Sequence, residues 1–206
     1  MAKKERLKVV EKSADGSVIW YEGYIFKVIN ARASYPHLDK PYAGEDGGEP
    51  KYGIVGLMDK KKQKAGILLL KKAIKQFMAE NKYTCASDKM CLKDGDESGK
   101  PENEGMYTLS ARENKRPKVR DAEGELVEGM DEIVEMIYGG CYVDIIIKFW
   151  KQANKFGKRV NANLTAVRFR ADGEAFGEGR IDDNDIWNED ELDDDDDGDG
   201  GFDDEL

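Results

Sequence analysis

A mainly β fold is predicted: an OB-type five-stranded Greek-key barrel with one inserted α-helix. Three observations predict it. Stretches rich in aromatic and β-branched residues recur between turn signals, about five in all. One segment between them switches to a helical period. One late strand changes the side on which its apolar residues fall, as a bulged barrel strand does. A sandwich covered by a helix is the structural alternative.

Taken in order, the first dozen residues are charged and expected to fray. "WYEGYIFKVINARA" (20–33) is a strand, and "SYPHLDKPYAGEDGGEPK" after it, with Pro36, Pro41, Pro50 and several glycines, is expected to be a loop. "KYGIVGLMDK" (51–60) is a second strand. Leu70, Ala73, Ile74 and Phe77 fall at i, i+3, i+4 and i+7, one face of a helix spanning 65–82. Lys64, Lys71, Lys75 and Lys82 share another face. The polar 88–105 stretch is expected to be an exposed loop, and "MYTLSAR" (106–112) a short strand. A basic cluster follows, with Lys115, Arg116, Lys118 and Arg120. "MDEIVEMIYGG" is a short helix or an irregular segment.

The strongest strand is "CYVDIIIKFWK" (141–151). Cys141, Val143, Ile145, Ile147 and Phe149 form its core side; Tyr142, Asp144, Ile146, Lys148 and Trp150 form the other. "QANKFGKR" is a turn, and "VNANLTAVRFR" (160–170) returns. Its apolar side begins as Val160, Ala162 and Leu164 and ends as Val167 and Phe169, which places a bulge near Ala166. "DGEAFGEGR" (172–180) closes the barrel and releases the chain.

Charge divides the chain in two. Its net charge is −10, yet residues 181–206 hold 15 Asp and Glu and no Lys or Arg. The first 180 residues therefore carry 33 basic and 28 acidic side chains. The expected organisation is a barrel domain over 1–180 and a disordered acidic tail over 181–206, too charged and too poor in apolar residues to fold alone. Cys85, Cys91 and Cys141 are few, odd in number and scattered, the pattern of reduced thiols in a cytoplasm. No apolar run is long enough to span a membrane, and the charged start lacks the apolar core of a secretion signal. The expected location is the cytoplasm.

The richest chemistry lies in "KFWKQANKFGKRV" (148–160), where cations alternate with rings. Unpaired nucleic acid needs cations to neutralise phosphates and flat rings to stack on bases. Lys148 and Trp150 project from one face of a strand, and Lys151, Lys155, Lys158 and Arg159 gather at the hairpin. With Tyr142 on the same face, they are the leading candidates for DNA contact. Tyr35 beside His37, Arg116 and Arg168 are further candidates, and Phe149 is assigned to the core. His37, Cys85, Cys91 and Cys141 have the residue types of a zinc site but lack the paired spacing of one, so no metal or other cofactor is expected. "DDDGDG" (195–200) mimics a calcium loop, but Leu206 stands where the twelfth-position Glu is required. With one His and no nucleophile elbow, P-loop or HExxH, no enzyme is expected. A metal-dependent nuclease or recombination enzyme would use the acids of the Asp182, Asp183 and Asp185 cluster.

"ARASYPHLDKPY", "KYGIVGLMDK" with its following helix, and the stretch from "IYGGCYVDIIIKFW" to "DDNDIW" before an acidic tail resemble the single-stranded DNA-binding proteins of tailed phages. The resemblance covers most of residues 20–206. It implies an OB fold, sequence-independent binding of single-stranded DNA in replication and recombination within the bacterial host, and a tail that contacts replication proteins such as a polymerase, helicase or nuclease. The tail residues for that role are Trp187, Phe202, Asp203, Asp204 and Glu205. Family members often end in an aromatic residue, whereas here "DDEL" follows Phe202. Oligomeric state is left open, a homodimer included. The alternative function is a protein-interaction module whose acidic tail masks a basic partner without binding DNA.

Overall fold

A computed structural model of the chain describes residues 6–44, 47–155 and 157–177. The barrel is built from β3 (Ile25–Tyr42), β4 (Lys51–Asp59), β6 (Met106–Glu113), β9 (Tyr142–Asn154) and β10 (Gly157–Ala171). Antiparallel pairing joins β3 to β4 and β4 to β6. β6 meets β10 in parallel, β10 pairs antiparallel with β9, and β9 returns to β3, closing the ring. That is the five-stranded barrel the sequence predicts. α1 (Lys64–Glu80) is inserted between β4 and β6, and α2 (Met130–Met136) precedes β9.

The core follows the alternation of the strands. Phe26, Val28, Leu109, Val143, Ile145, Ile147, Val160 and Leu164 are wholly or almost wholly buried. Gly56 stands where a Cβ would lie 2.7 Å from the Ile145 Cδ1, so its missing side chain lets β4 close over the core. β10 shifts register between Leu164 and Ala166, which moves the apolar side from Leu164 to Val167, as its sequence predicts. α1 buries Ile67, Leu70, Ala73, Ile74 and Phe77. Phe77 lies edge-on to Phe149, and Phe149 packs 4.4 Å from Phe26, so the helix is joined to the barrel through rings.

Several expectations are corrected. The N-terminal segment is not frayed throughout: β1 (Val9–Lys12) pairs with β2 (Val18–Tyr21). The predicted strand at 20–33 is broken by a turn at which Gly23 and Tyr24 take positive φ, making β2 and β3 a hairpin. The predicted loop after Ala33 is largely strand, because β3 runs on to Tyr42. Pro36 and Pro41 fall within the two register shifts between Ser34, His37 and Tyr42, where a missing N–H breaks no ladder bond. The 88–105 stretch contains β5 (Leu92–Asp94), with Cys91 and Leu92 buried. The β9–β10 hairpin extends to Asn154 and Gly157, so most of the expected turn is strand. β7 (Lys118–Arg120) runs parallel to β10 and pairs with β8 (Leu126–Val127). The expected tail, 181–206, and with it Trp187, Phe202, Asp203, Asp204, Glu205 and the Asp182–Asp185 acids, lies outside the described residues.

Candidate nucleic-acid interface

Residues opposite one another in a ladder project to the same side of the sheet. One such row runs across all five barrel strands: His37 on β3, Gly53 on β4, Arg112 on β6, Asn163 on β10 and Lys148 on β9. Neighbouring residues on these strands are in the core, so the row faces outward, with Arg112 and Lys148 exposed. At about 4.8 Å per strand it spans roughly 19 Å of surface. Gly53 is buried, and its missing side chain lets Arg112 pack over it, since a Cβ there would sit 3.2 Å from Arg112 Cγ.

At the β3 end the row meets a set of rings. His37 stacks on Tyr42 with centroids 4.5 Å apart and planes 16° from parallel. Tyr35 is 52 % exposed and adopts φ +47°, a left-handed conformation held within the β3 register shift. The Lys100 ammonium lies 4.3 Å from the Tyr35 ring centroid and donates to its hydroxyl at 2.8 Å. Tyr35, His37, Tyr42, Lys51 and Arg112 line a shallow cavity of about 100 Å3. Burial holds His37 below its ordinary pKa; Arg112 adds to the effect and Asp39 opposes it.

At the β9 end the row meets the hairpin. Lys148, Lys151, Lys155 and Lys158 are exposed, Arg159 is half-buried, and Trp150 is 38 % exposed opposite Asn161. The base of the hairpin is held by Tyr83, whose buried ring brings its hydroxyl to the carbonyls of Gln152 and Arg159. Lys158 lies 5.7 Å from the same ring.

Two further outward rows adjoin the first. Lys27, Ile146, Ala166 and Lys118 form one; Asp144, Arg168 and Arg120 form the other. Asp144 is 2 % exposed and gathers the cations around it, with Arg168 at 2.5 Å, Arg170 at 3.5 Å and Lys27 at 3.7 Å. The Asn30 N–H donates to the same carboxylate at 3.1 Å.

The structure thus sets Lys148, Trp150 and Arg159 on one side of the β9–β10 hairpin, in line with the row that leads to the His37 and Tyr35 region, whereas Lys151 and Lys158 have the opposite parity and project from the other side, with Lys155 in the turn. Arg168 stands on the same face but is engaged by Asp144. Tyr142 does not join the hairpin: it lies at the other end of β9, opposite Arg32 and against Gly173. Arg116 sits apart, half-buried and donating to the Glu128 carbonyl at 3.2 Å. Lys27, Tyr42, Lys51 and Arg112 escaped the sequence reading. Arg112 had a signal, since it continues the alternation of Leu109 and Ala111; Tyr42 was hidden in the supposed loop, and Lys51 stood where that loop overlaps the second strand. Phe156 lies outside the described residues. Among the described residues, no three His, Cys, Asp or Glu side chains gather as metal ligands.

A closed barrel of this connectivity, with rings and cations on its outward strand face, defines an OB-fold protein of the oligonucleotide-binding architecture. Comparison with known proteins places it more closely. A family model described as "Enterobacter phage Enc34, ssDNA-binding protein" matches residues 25–197, and the chain belongs to that family. The single-stranded DNA-binding protein of bacteriophage Enc34, solved in complex with ssDNA, is 46 % identical with a TM-score of 0.78, over 84 % of this chain and 99 % of that one. Protein p50 of Acyrthosiphon pisum secondary endosymbiont phage 1 is 30 % identical over 166 residues, covering 75 % of this chain and 88 % of that protein. The single-stranded DNA-binding protein gp2.5 of bacteriophage T7 shares the fold, with a TM-score of 0.50 at 16 % identity over 76 % of this chain and 97 % of that one.

Proposed function

We propose that this chain binds single-stranded DNA without sequence preference, protecting it during phage replication and recombination in the host cytoplasm. It acts by binding alone. The observation that carries the reading is the outward row from His37 to Lys148, which joins the Tyr35 rings at one end to Trp150 and Arg159 at the other. Such a surface holds phosphates by charge and bases by stacking, and neither contact depends on base identity. Family membership supports the same reading.

The acidic segment 181–206 completes the proposal. Its 15 carboxylates imitate a DNA backbone and compete for the cationic surface when DNA is absent. Tethering supplies an effective concentration of order mM, so little intrinsic affinity is needed. Once DNA displaces it, the segment with Trp187 and Phe202 is free to recruit a polymerase, helicase or nuclease.

The test is a titration with oligo(dT), read by Trp fluorescence, using the full chain and a chain ending at Arg180 at two salt concentrations. Both are expected to bind, the shorter one more tightly, with affinity falling as salt rises. Tyr35→Ala and Trp150→Ala are each expected to weaken binding by about 1–3 kcal/mol if each ring stacks one base. Failure of both chains to bind at low salt overturns the reading. Tighter binding by the full chain overturns the competition by the tail.

A further inference from the structure

α1 and α2 carry opposite charge around exposed apolar residues. From Asp121 to Val143 the chain holds seven acidic side chains and no Lys or Arg, although the first 180 residues are net basic. Between α2 and β3 opens a groove of about 250 Å3, lined by Pro36, Leu38, Ile133, Val134, Ile137 and Tyr138. Val134 is 51 % exposed, and Met130, one turn earlier on the same helix face, is 49 % exposed. Asp39 lines the groove, and Asp131 and Glu135 are exposed on α2. None of these three acids forms an ion pair among the described residues.

α1 presents the complement. Leu68 is 55 % exposed, and Lys64, Lys72 and Lys75 lie four residues before, four after and seven after it, on one stripe of the helix and all exposed. None of these residues belongs to the outward rows described above. Leu68 and Val134 are both exposed on the same molecule, so they do not cover each other within one copy. Two copies can bring them together.

We propose that the α2 groove receives the α1 stripe of a second copy, Leu68 meeting Val134 and Met130 while Lys64 and Lys75 meet Asp131 and Glu135. The contact uses two different patches, so it is heterologous and continues from copy to copy instead of closing as a dimer. The inference rests on the proposed DNA binding only for what lines the copies up: neighbours on one strand are tethered, and a modest contact then acts at high effective concentration. The consequence is cooperative coating of long single strands.

Full-length 14N and 15N chains, mixed and treated with a zero-length carbodiimide cross-linker, test the contact both on poly(dT) and without DNA at high protein concentration. Mixed-isotope peptides joining Lys64 or Lys75 to Asp131 or Glu135 are expected. Cross-links from these lysines only to the 181–206 acids, or no mixed-isotope product, overturn the proposal. The DNA-free arm decides the contact even if the DNA-binding reading fails. On DNA, the Lys64→Glu/Lys75→Glu chain is expected to lose roughly tenfold in cooperativity on long poly(dT), equivalent to ~1.4 kcal/mol. Its affinity for an oligonucleotide that holds one copy should stay unchanged. Mixing it with an Asp131→Lys/Glu135→Lys chain should restore cooperativity, since each then offers the other complementary patches. Unchanged cooperativity in both variants, or no recovery on mixing, overturns the proposal.

Discussion

Asp144→Asn separates the structural and the binding roles of the outward face. The carboxylate is 2 % exposed and holds Arg168, Arg170 and Lys27 within 3.7 Å. Asn keeps the shape and can still accept from the Asn30 N–H, so the substitution removes chiefly the charge. Breaking a fully buried ion pair costs about 3–5 kcal/mol. Here the three cations are 29–41 % exposed and retain part of their hydration, which lowers the expected loss to ~2–3 kcal/mol. For a domain of this size each kcal/mol shifts Tm by roughly 2–4 °C, giving a fall of roughly 4–12 °C. The same change releases cations toward the proposed DNA surface. Each new phosphate contact should steepen the dependence of log K on log salt by about 0.7. Calorimetry reads the first effect and oligo(dT) titration over a salt series reads the second. An unchanged Tm refutes the role of Asp144 as the anchor of the cluster. A lower Tm with an unchanged salt slope refutes the placing of the Arg168 row against the strand.

Two further outcomes follow from the titrating groups. His37 is held below its ordinary pKa, so it is neutral at pH 7; phosphate nearby favours its protonated form, and oligo(dT) affinity should rise as pH falls from neutral into the acid range. His37→Gln should remove that rise, as measured by titrations between neutral and mildly acidic pH. Asp15 accepts from the Ser13 and Ser17 hydroxyls and from the N–H groups of Ser17, Ala65 and Gly66, the last two in the first turn of α1. Burial pushes its carboxyl pKa up, but these hydrogen bonds outweigh it and hold the group well below the usual range. Because the folded-state pKa is depressed, its contribution is present above about pH 4 and is lost as pH falls below that. Asp15→Ala should cost ~1–2 kcal/mol in urea denaturation at pH 7, with a smaller difference from the parent chain at strongly acid pH.

Much of the barrel was legible. β9 and β10 alternate strictly enough to assign Cys141 and Phe149 to the core, and the change of parity in β10 located its bulge. The apolar face of α1 was legible for the same reason: local periodicity reports which side is buried. Other elements were not. β1 is only four residues long, two of them charged, and its pairing with β2 is a tertiary contact that no local period announces. β3 continues through Pro36 and Pro41 because its register shifts there, whereas prolines and glycines in sequence signal a loop.

The candidate site divides along the same line. The hairpin was visible because Lys148, Trp150, Lys151, Lys155, Lys158 and Arg159 are close in the chain. The row that joins Lys148 to His37 was invisible, since it passes through residues from all five strands and depends on barrel closure and on each strand's register. Arg168 shows the reverse case: its charge is plain in the sequence, but only packing set it against Asp144. By itself the sequence determined the β class, the inserted helix, the basic body with its acidic end, and the kind of ligand such chemistry suits, because these follow from composition and local period. The tertiary structure alone decided which cations share a face, which are neutralised, and where rings and cations adjoin. Those relations join residues far apart in the chain, and a shift of one residue in a strand would reverse them.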